Sequence, residues 1–158
     1  MKIIVLFLSI FCLTSTSHGQ DLFKERIRKL SSNKTSIYIE KGIFHNGGVK
    51  VQSSLKSLRQ SFNAQQGFER IVIDFSTAQV PKIYGHISSD DKKLYLDIFE
   101  TTLAKDFKSV SNTRFIDKIN FFPIESNHIS LDMRLKGKVS ADIFYLENPG
   151  RLVIDLKN

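Results

Sequence analysis

Arg70-Ile71-Val72-Ile73-Asp74-Phe75 and, 58 positions further on, His128-Ile129-Ser130-Leu131-Asp132-Met133 carry one pattern. In each, three apolar residues recur at every second position and an Asp precedes the last of them. Side chains of an extended strand point to opposite faces in turn, so this alternation predicts a half-buried strand. The same offset pairs Leu94 with Leu152, Leu96 with Ile154, Asp97 with Asp155 and Ile98 with Leu156, without a gap. Each copy reads as a strand, a connecting strand, a polar turn and a third strand. One such unit cannot bury its apolar face alone, whereas two packed face to face at about 10 Å can. The expected fold is therefore all-β: a sandwich of two similar, mostly antiparallel sheets with a pseudo-twofold internal repeat, plus a short α/β N-terminal extension.

Outward from the repeat, strands are expected over Phe68–Phe75, Ile83–Ile87, Lys93–Phe99, Phe115–Phe122, His128–Leu135, Val139–Leu146 and Arg151–Leu156. Ser88 to Asp91 reads as a turn, and Pro123 as the end of its strand. Thr and Asn density weighs against a helix over Ser109–Asn120. The extension, residues 20–67, reads differently. Phe23, Ile27 and Leu30 at helical spacing predict a short basic helix over Asp21–Ser32. Ile37-Tyr38-Ile39 and Val49-Lys50-Val51 around Asn46-Gly47-Gly48 predict a β-hairpin over Ser36–Gln52. Leu55, Leu58 and Phe62 predict a second helix over Ser53–Phe62, with Asn63–Gly67 as a linker to the sandwich at 68–158.

The first nineteen residues read as a secretory signal. Lys2 supplies the positive start, Ile3–Leu13 the apolar stretch, and Ser17-His18-Gly19 the small residues before a cut at Gln20. The apolar stretch is shorter than the ~20 residues of a membrane span, so no span is expected in the mature chain. Cys12, the only cysteine, would leave with the signal, which excludes a disulfide framework. A cysteine-free exported domain fits a bacterial periplasm. The chain carries 23 Lys and Arg against 16 Asp and Glu, a net charge of +7, densest at Lys24, Arg26, Arg28, Lys29 and Lys34. That balance suits anionic partners, and export argues against nucleic acid.

Nothing in the sequence has the spacing of a catalytic motif. There is no His-Glu-x-x-His, no Gly-x-Ser-x-Gly and no phosphate loop, and no cysteine remains for a metal. An enzyme, a metal and a cofactor are all unexpected. A carboxylate dyad of Asp74 and Asp97 competes with a plainer reading, in which each Asp faces solvent while its apolar neighbours face the core.

Two stretches, Arg70-Ile71-Val72-Ile73-Asp74-Phe75 and Tyr145-Leu146-Glu147-Asn148-Pro149-Gly150-Arg151-Leu152-Val153-Ile154-Asp155-Leu156, resemble the AMIN domain, the non-catalytic amidase N-terminal domain. Val110 to Phe122, followed by the strand at His128–Arg134, is similar to the middle of that family. The resemblance covers roughly residues 68–158. It implies a sandwich of two symmetric sheets, a place in the bacterial envelope, and peptidoglycan binding that anchors or localises a complex. The alternative is an accessory subunit that contacts a protein of a pilus or secretin-type machine. Sugar rings stack on exposed aromatic faces, while carboxylates and arginines bond hydroxyls and stem-peptide carboxylates. On that chemistry the candidate ligand-binding residues are Arg70, Asp74, Tyr84, His86, Tyr95, Asp97, Arg151 and Asp155, with Tyr95, Asp97 and Phe99 on one outward face.

Overall fold

The computed structural model describes residues 27–30, 36–110 and 113–158. The expected signal and its cut site, and Asp21, Phe23, Lys24, Arg26 and Lys34, lie outside the described residues. Twelve strands follow in chain order: β1 (Ile27–Lys29), β2 (Ile37–Ile39), β3 (Lys41–His45), β4 (Ser53–Asn63), β5 (Phe68–Phe75), β6 (Ile83–Ser88), β7 (Lys93–Phe99), β8 (Thr101–Lys108), β9 (Ile116–Ile124), β10 (His128–Leu135), β11 (Ser140–Leu146) and β12 (Arg151–Lys157). They form two six-stranded sheets. Sheet I has the order β1-β3-β6-β7-β10-β9, and sheet II the order β2-β11-β12-β5-β4-β8. Among the described strands, only β1 with β3 and β4 with β8 pair in parallel. Among the described residues there is no helix, and so none long and apolar enough to cross a membrane.

The alternation foreseen in the repeat builds the core. Leu94, Leu96, Ile98, Ile129, Leu131 and Met133 of sheet I are buried, as are Ile71, Ile73, Phe75, Leu152, Ile154 and Leu156 of sheet II. Each such aliphatic side chain contributes about 1.5–3 kcal/mol on full burial. The two copies do not each make a sheet, however. Strands β6 and β7 of the first copy join β10 and β9 of the second to make sheet I, and β11 and β12 of the second join β5 and β4 of the first to make sheet II. Exchanging the copies turns β3-β6-β7-β10-β9 into β2-β11-β12-β5-β4, so the symmetry relates the sheets while each sheet mixes both copies. The registers also differ. Leu96 lies opposite Leu131, but its counterpart Ile154 lies opposite Ile71, not Ile73. Because the shift is two residues, every side chain keeps its face.

The extension is strand throughout its described part. Residues 27–29, expected in a helix, pair with β3, and Leu30 is buried. The hairpin expected over Ser36–Gln52 does not form. β2 joins β11 in sheet II while β3 joins β6 in sheet I, and Val49–Val51 is not a strand. Asn46 explains the departure. Its Nδ2 donates to the Pro81 carbonyl at 2.6 Å and its Oδ1 accepts from the Ile83 amide at 3.0 Å, tying the end of β3 to the start of β6. The helix expected over Ser53–Phe62 is β4, which bulges between Leu55 and Ser57. The extra residue brings Leu55 and Leu58, three apart, onto the same inner face, which is why the spacing looked helical. Asn63–Gly67 is no linker but the tight turn of the β4–β5 hairpin, with the Gly67 amide donating to the Asn63 carbonyl at 2.9 Å. Gly67 has φ of 67°, a conformation glycine adopts without strain. β9 continues through Pro123, as an edge strand allows.

Candidate functional site

The eight candidate residues divide into two groups of four on opposite outer faces of the sandwich. Arg70 and Asp74 of β5, with Arg151 and Asp155 of β12, lie on sheet II. Tyr84 and His86 of β6, with Tyr95 and Asp97 of β7, lie on sheet I. They cannot form one site. Asp74 and Asp97 in particular are separated by both sheets, which removes the dyad.

On sheet II the charges satisfy one another. Arg70 grips Asp155 with two donors, Nε at 2.7 Å and Nη2 at 2.6 Å, while its guanidinium covers the rings of Phe68 and Phe144 at 5.2 and 5.8 Å. Arg59 of β4 grips Asp74 in the same manner, at 2.6 and 2.8 Å, and the Ser57 hydroxyl donates to Asp74 at 2.6 Å. Burial alone would push the Asp74 carboxyl up. The hydrogen bonds from Arg59 and Ser57, and the charges of Arg59 and Arg151, outweigh it and hold Asp74 below the ordinary carboxylate value. Arg70 and Arg59 are raised, chiefly by the carboxylates they donate to. Arg151 donates to the Pro149 carbonyl at 3.3 Å. The Arg59, Arg70, Val72, Phe144 and Arg151 side chains line a shallow concavity of about 610 Å³. Its carboxylates are already taken, so what it offers a ligand is donors: Arg151, the remaining N–H groups of Arg59 and Arg70, and the Ser36 and Ser61 hydroxyls.

Arg151 stands at the end of a fixed turn. The Asn148 amide donates to the Ala78 carbonyl at 2.9 Å, the Gly150 amide to Thr77 at 2.8 Å, and the Phe75 amide to Gly150 at 3.0 Å. A Cβ on Gly150 would meet the Gln79 carbonyl oxygen at 2.6 Å. The Asn148-Pro149-Gly150-Arg151 stretch thus locks the β11–β12 turn onto the β5–β6 connection, which is a structural task.

Sheet I presents aromatic rings instead. His45 stacks on Tyr84 at 5.6 Å, Tyr84 meets Phe99 edge-on at 5.9 Å, and Phe99 stacks on His128 at 4.5 Å. The Lys82 ammonium lies 5.2 Å from the Tyr84 ring and 5.5 Å from that of Phe99. One row across the sheet runs Tyr84, Asp97, Ser130, Phe122, and the next runs His86, Tyr95, Asp132, Asn120. Asp97 accepts from the Ser130 hydroxyl, and His128 Nε2 lies 3.8 Å from Asp97 Oδ1. His128 Nε2 and Asp132 Oδ1 are buried with no hydrogen-bond partner. Tyr84 and Tyr95 are 38% and 37% exposed, enough to offer a ring face.

The sequence put Phe99 beside Tyr95 and Asp97, but it gave His128 and His45 no place in the row. Both are ordinary strand positions by pattern, and their stacking depends on which strands become neighbours. Among the described residues, no group of three His, Cys, Asp or Glu side chains could hold a metal ion. The chain matches no protein-family model and no curated protein sequence.

Proposed function

We propose that this chain is an exported, non-catalytic envelope module of the AMIN type, which binds peptidoglycan through the outer face of sheet I and holds a cell-envelope complex at the wall of the periplasm. The observation that carries this reading is the exposed aromatic row of sheet I with hydrogen-bonding groups beside it. Sugar rings stack on tyrosine faces, and Asp97, Ser130 and Asn120 offer donors and acceptors for hydroxyls at strand spacing. Sheet II supports it less, because its carboxylates are engaged by Arg59 and Arg70. The sandwich of two symmetric sheets agrees with the family resemblance, which supplies the ligand class.

Retention on purified sacculi at low salt tests the proposal. The double variant Tyr84→Ala, Tyr95→Ala is expected to be retained about tenfold less, since two ring contacts of ~0.5–1.5 kcal/mol each are lost. Wild-type protein that washes through sacculi at low salt sinks the wall reading.

A second reading, an accessory subunit that binds a protein of a pilus or secretin-type machine, is favoured by β9. This strand is the edge of sheet I and exposes Phe122 and Ile124 at 50% and 43%. An edge strand with apolar side chains can accept a partner's strand. Crosslinks from residue 122 that recover an envelope protein would favour this reading over the first.

A further inference from the structure

At the end of sheet I beyond Tyr95 and Asp132, three cations stand in register. Arg134 of β10 lies opposite Lys93 of β7 on one side and Lys118 of β9 on the other. Neighbouring strands are about 4.8 Å apart, so the three backbones span about 10 Å. All three side chains belong to the outer face. Like charges directly opposite one another destabilise a sheet, and here two such pairs share one residue.

No carboxylate stands within the row itself. Among the described residues neither Arg134 nor Lys118 has an ion pair or a side-chain hydrogen bond. Lys93 leans on the Tyr95 ring at 5.5 Å, and Tyr95, with Asp132 adding and Arg134 opposing, raises its pKa. The concavity beside the row, about 480 Å³, is lined by Lys92, Lys93, Arg134 and Lys136 together with Asp91 and Asp117. Cations outnumber carboxylates there two to one, and Asp91 accepts from the Ser88 hydroxyl at 2.6 Å.

The other sheet offers a comparison. Opposite Arg151, the counterpart of Lys93, stands Asp74, with Ser57 beyond it. Asp74 is held there by Arg59 of the neighbouring row and by Ser57. The two-residue difference in register places Asp132, the counterpart of Asp74, one row away from Lys93, so that Arg134 lies opposite Lys93 instead. The row of sheet I thus has no carboxylate of its own.

We propose that the Lys93–Arg134–Lys118 row is an anion site that takes a phosphate group. A carboxylate carries a single negative charge on two oxygens in one plane. A phosphate has more acceptor oxygens and more charge, so one guanidinium and two flanking ammonium groups can converge on it. The phosphate belongs either to a lipid headgroup or to a soluble phosphoester; the recognition chemistry is the same. Arg134 and Lys118 take no part in the aromatic face of the wall reading, and variants at these two residues test the site apart from it.

The test uses the full mature protein at low ionic strength. Inorganic phosphate is titrated while amide NMR shifts are followed, with chloride at matched ionic strength as the control for screening. In parallel, the protein is floated with phosphatidylglycerol vesicles and with phosphatidylcholine vesicles. The expected result is saturable shifts at residues 93, 118 and 134 with phosphate and not with chloride, flotation with the anionic vesicles alone, or both. Flotation without phosphate shifts supports the proposal and assigns the headgroup. Phosphate shifts without flotation support it and assign a soluble phosphoester. The variant Arg134→Asp places a carboxylate opposite Lys93, as Asp74 lies opposite Arg151 in sheet II. It is expected to melt at the same temperature as wild type or higher, and to bind at least about tenfold more weakly; Lys118→Glu, at an exposed edge, is expected to weaken binding with no loss of fold. Absence of both phosphate shifts and flotation overturns the proposal, as does undiminished binding in a folded Arg134→Asp protein.

Discussion

Glu69 and Asp74 occupy the same strand and show two ways of keeping a carboxylate. Glu69 points inward and is fully buried. It accepts from the Thr113 hydroxyl at 2.8 Å, the Arg114 and Phe115 amides at 3.0 and 2.7 Å, and Gln60 Nε2 at 2.7 Å. A buried carboxylate persists when its lone pairs are met in this way. Asp74 points outward and is held by Arg59 and Ser57. Its folded pKa lies below the ordinary 3.8, so its contribution to stability is fully present above that value and is lost as the pH falls through the folded pKa. Asp74→Asn is therefore expected to lower stability at neutral pH by about 1 kcal/mol, a modest figure because Arg59 is more than half exposed and solvent screens its charge. The gap between variant and wild type should narrow below pH ~4, as wild type protonates. Urea titrations across that range check this; a gap that widens on acidification would contradict the assignment. None of these partners was visible in the sequence. Arg70–Asp155 spans 85 positions and Glu69–Phe115 spans 46, and pattern carries no information on which strands meet.

Elements differ in how far their pattern survives folding. The repeat strands β5, β7 and β10 were legible because each is regular and buried mainly on one face, so period two stands out; β12, buried on both faces over Leu152–Leu156, was legible through its match to β7. β4 was not, because its bulge converts an alternation of two into a spacing of three at Leu55 and Leu58. β8 was missed altogether. Thr101–Lys108 pairs with β4 at only part of its length and stands mostly exposed at an edge, so no apolar stripe marks it. β2 and Val49–Val51 read as the arms of one hairpin because short apolar runs flank a glycine pair, whereas tertiary pairing sends β2 to sheet II, takes the intervening β3 into sheet I and leaves Val49–Val51 outside both. The β3–β6 joint makes the clearest demand on a single residue. Phe44 lies opposite Gly85, and its ring fills the space a Cβ would need, at 2.1 Å from Cζ. Phe44 is fully buried and cannot swing away. Gly85→Ala is expected to cost about 1–3 kcal/mol or more, as overpacking does, and Phe44→Leu in the same chain to restore part of it. Thermal melts of the single and double variants decide the matter, since additive losses would exclude the steric account.

For the molecule as a whole, the exchanged strands make the two copies interdependent. The repeat was readable from the sequence, and with it the sandwich of two like sheets. Its partition was not, because a face-to-face pair and an interleaved pair have the same alternation and the same buried positions. The distinction can be tested by cutting the chain in two. A fragment ending at residue 110 retains β6 and β7 without β10, and β5 without β12; a fragment starting at 111 holds the complementary strands. Each alone is expected to give poorly dispersed NMR spectra with no cooperative melt, and the two mixed together to recover the native spectrum. A fragment that melts cooperatively alone would show that the copies are self-sufficient. The interleaving also sets a timetable. β12 emerges after every other described strand, yet it lies between β11 and β5 in the interior of sheet II. Until residues 151–157 arrive, β5 keeps one rim of backbone donors and acceptors unzipped, with Ile71 and Ile73 alongside it, a template for wrong partners. A sandwich built this way closes only once β12 has been added, and it gains from being kept loose until then.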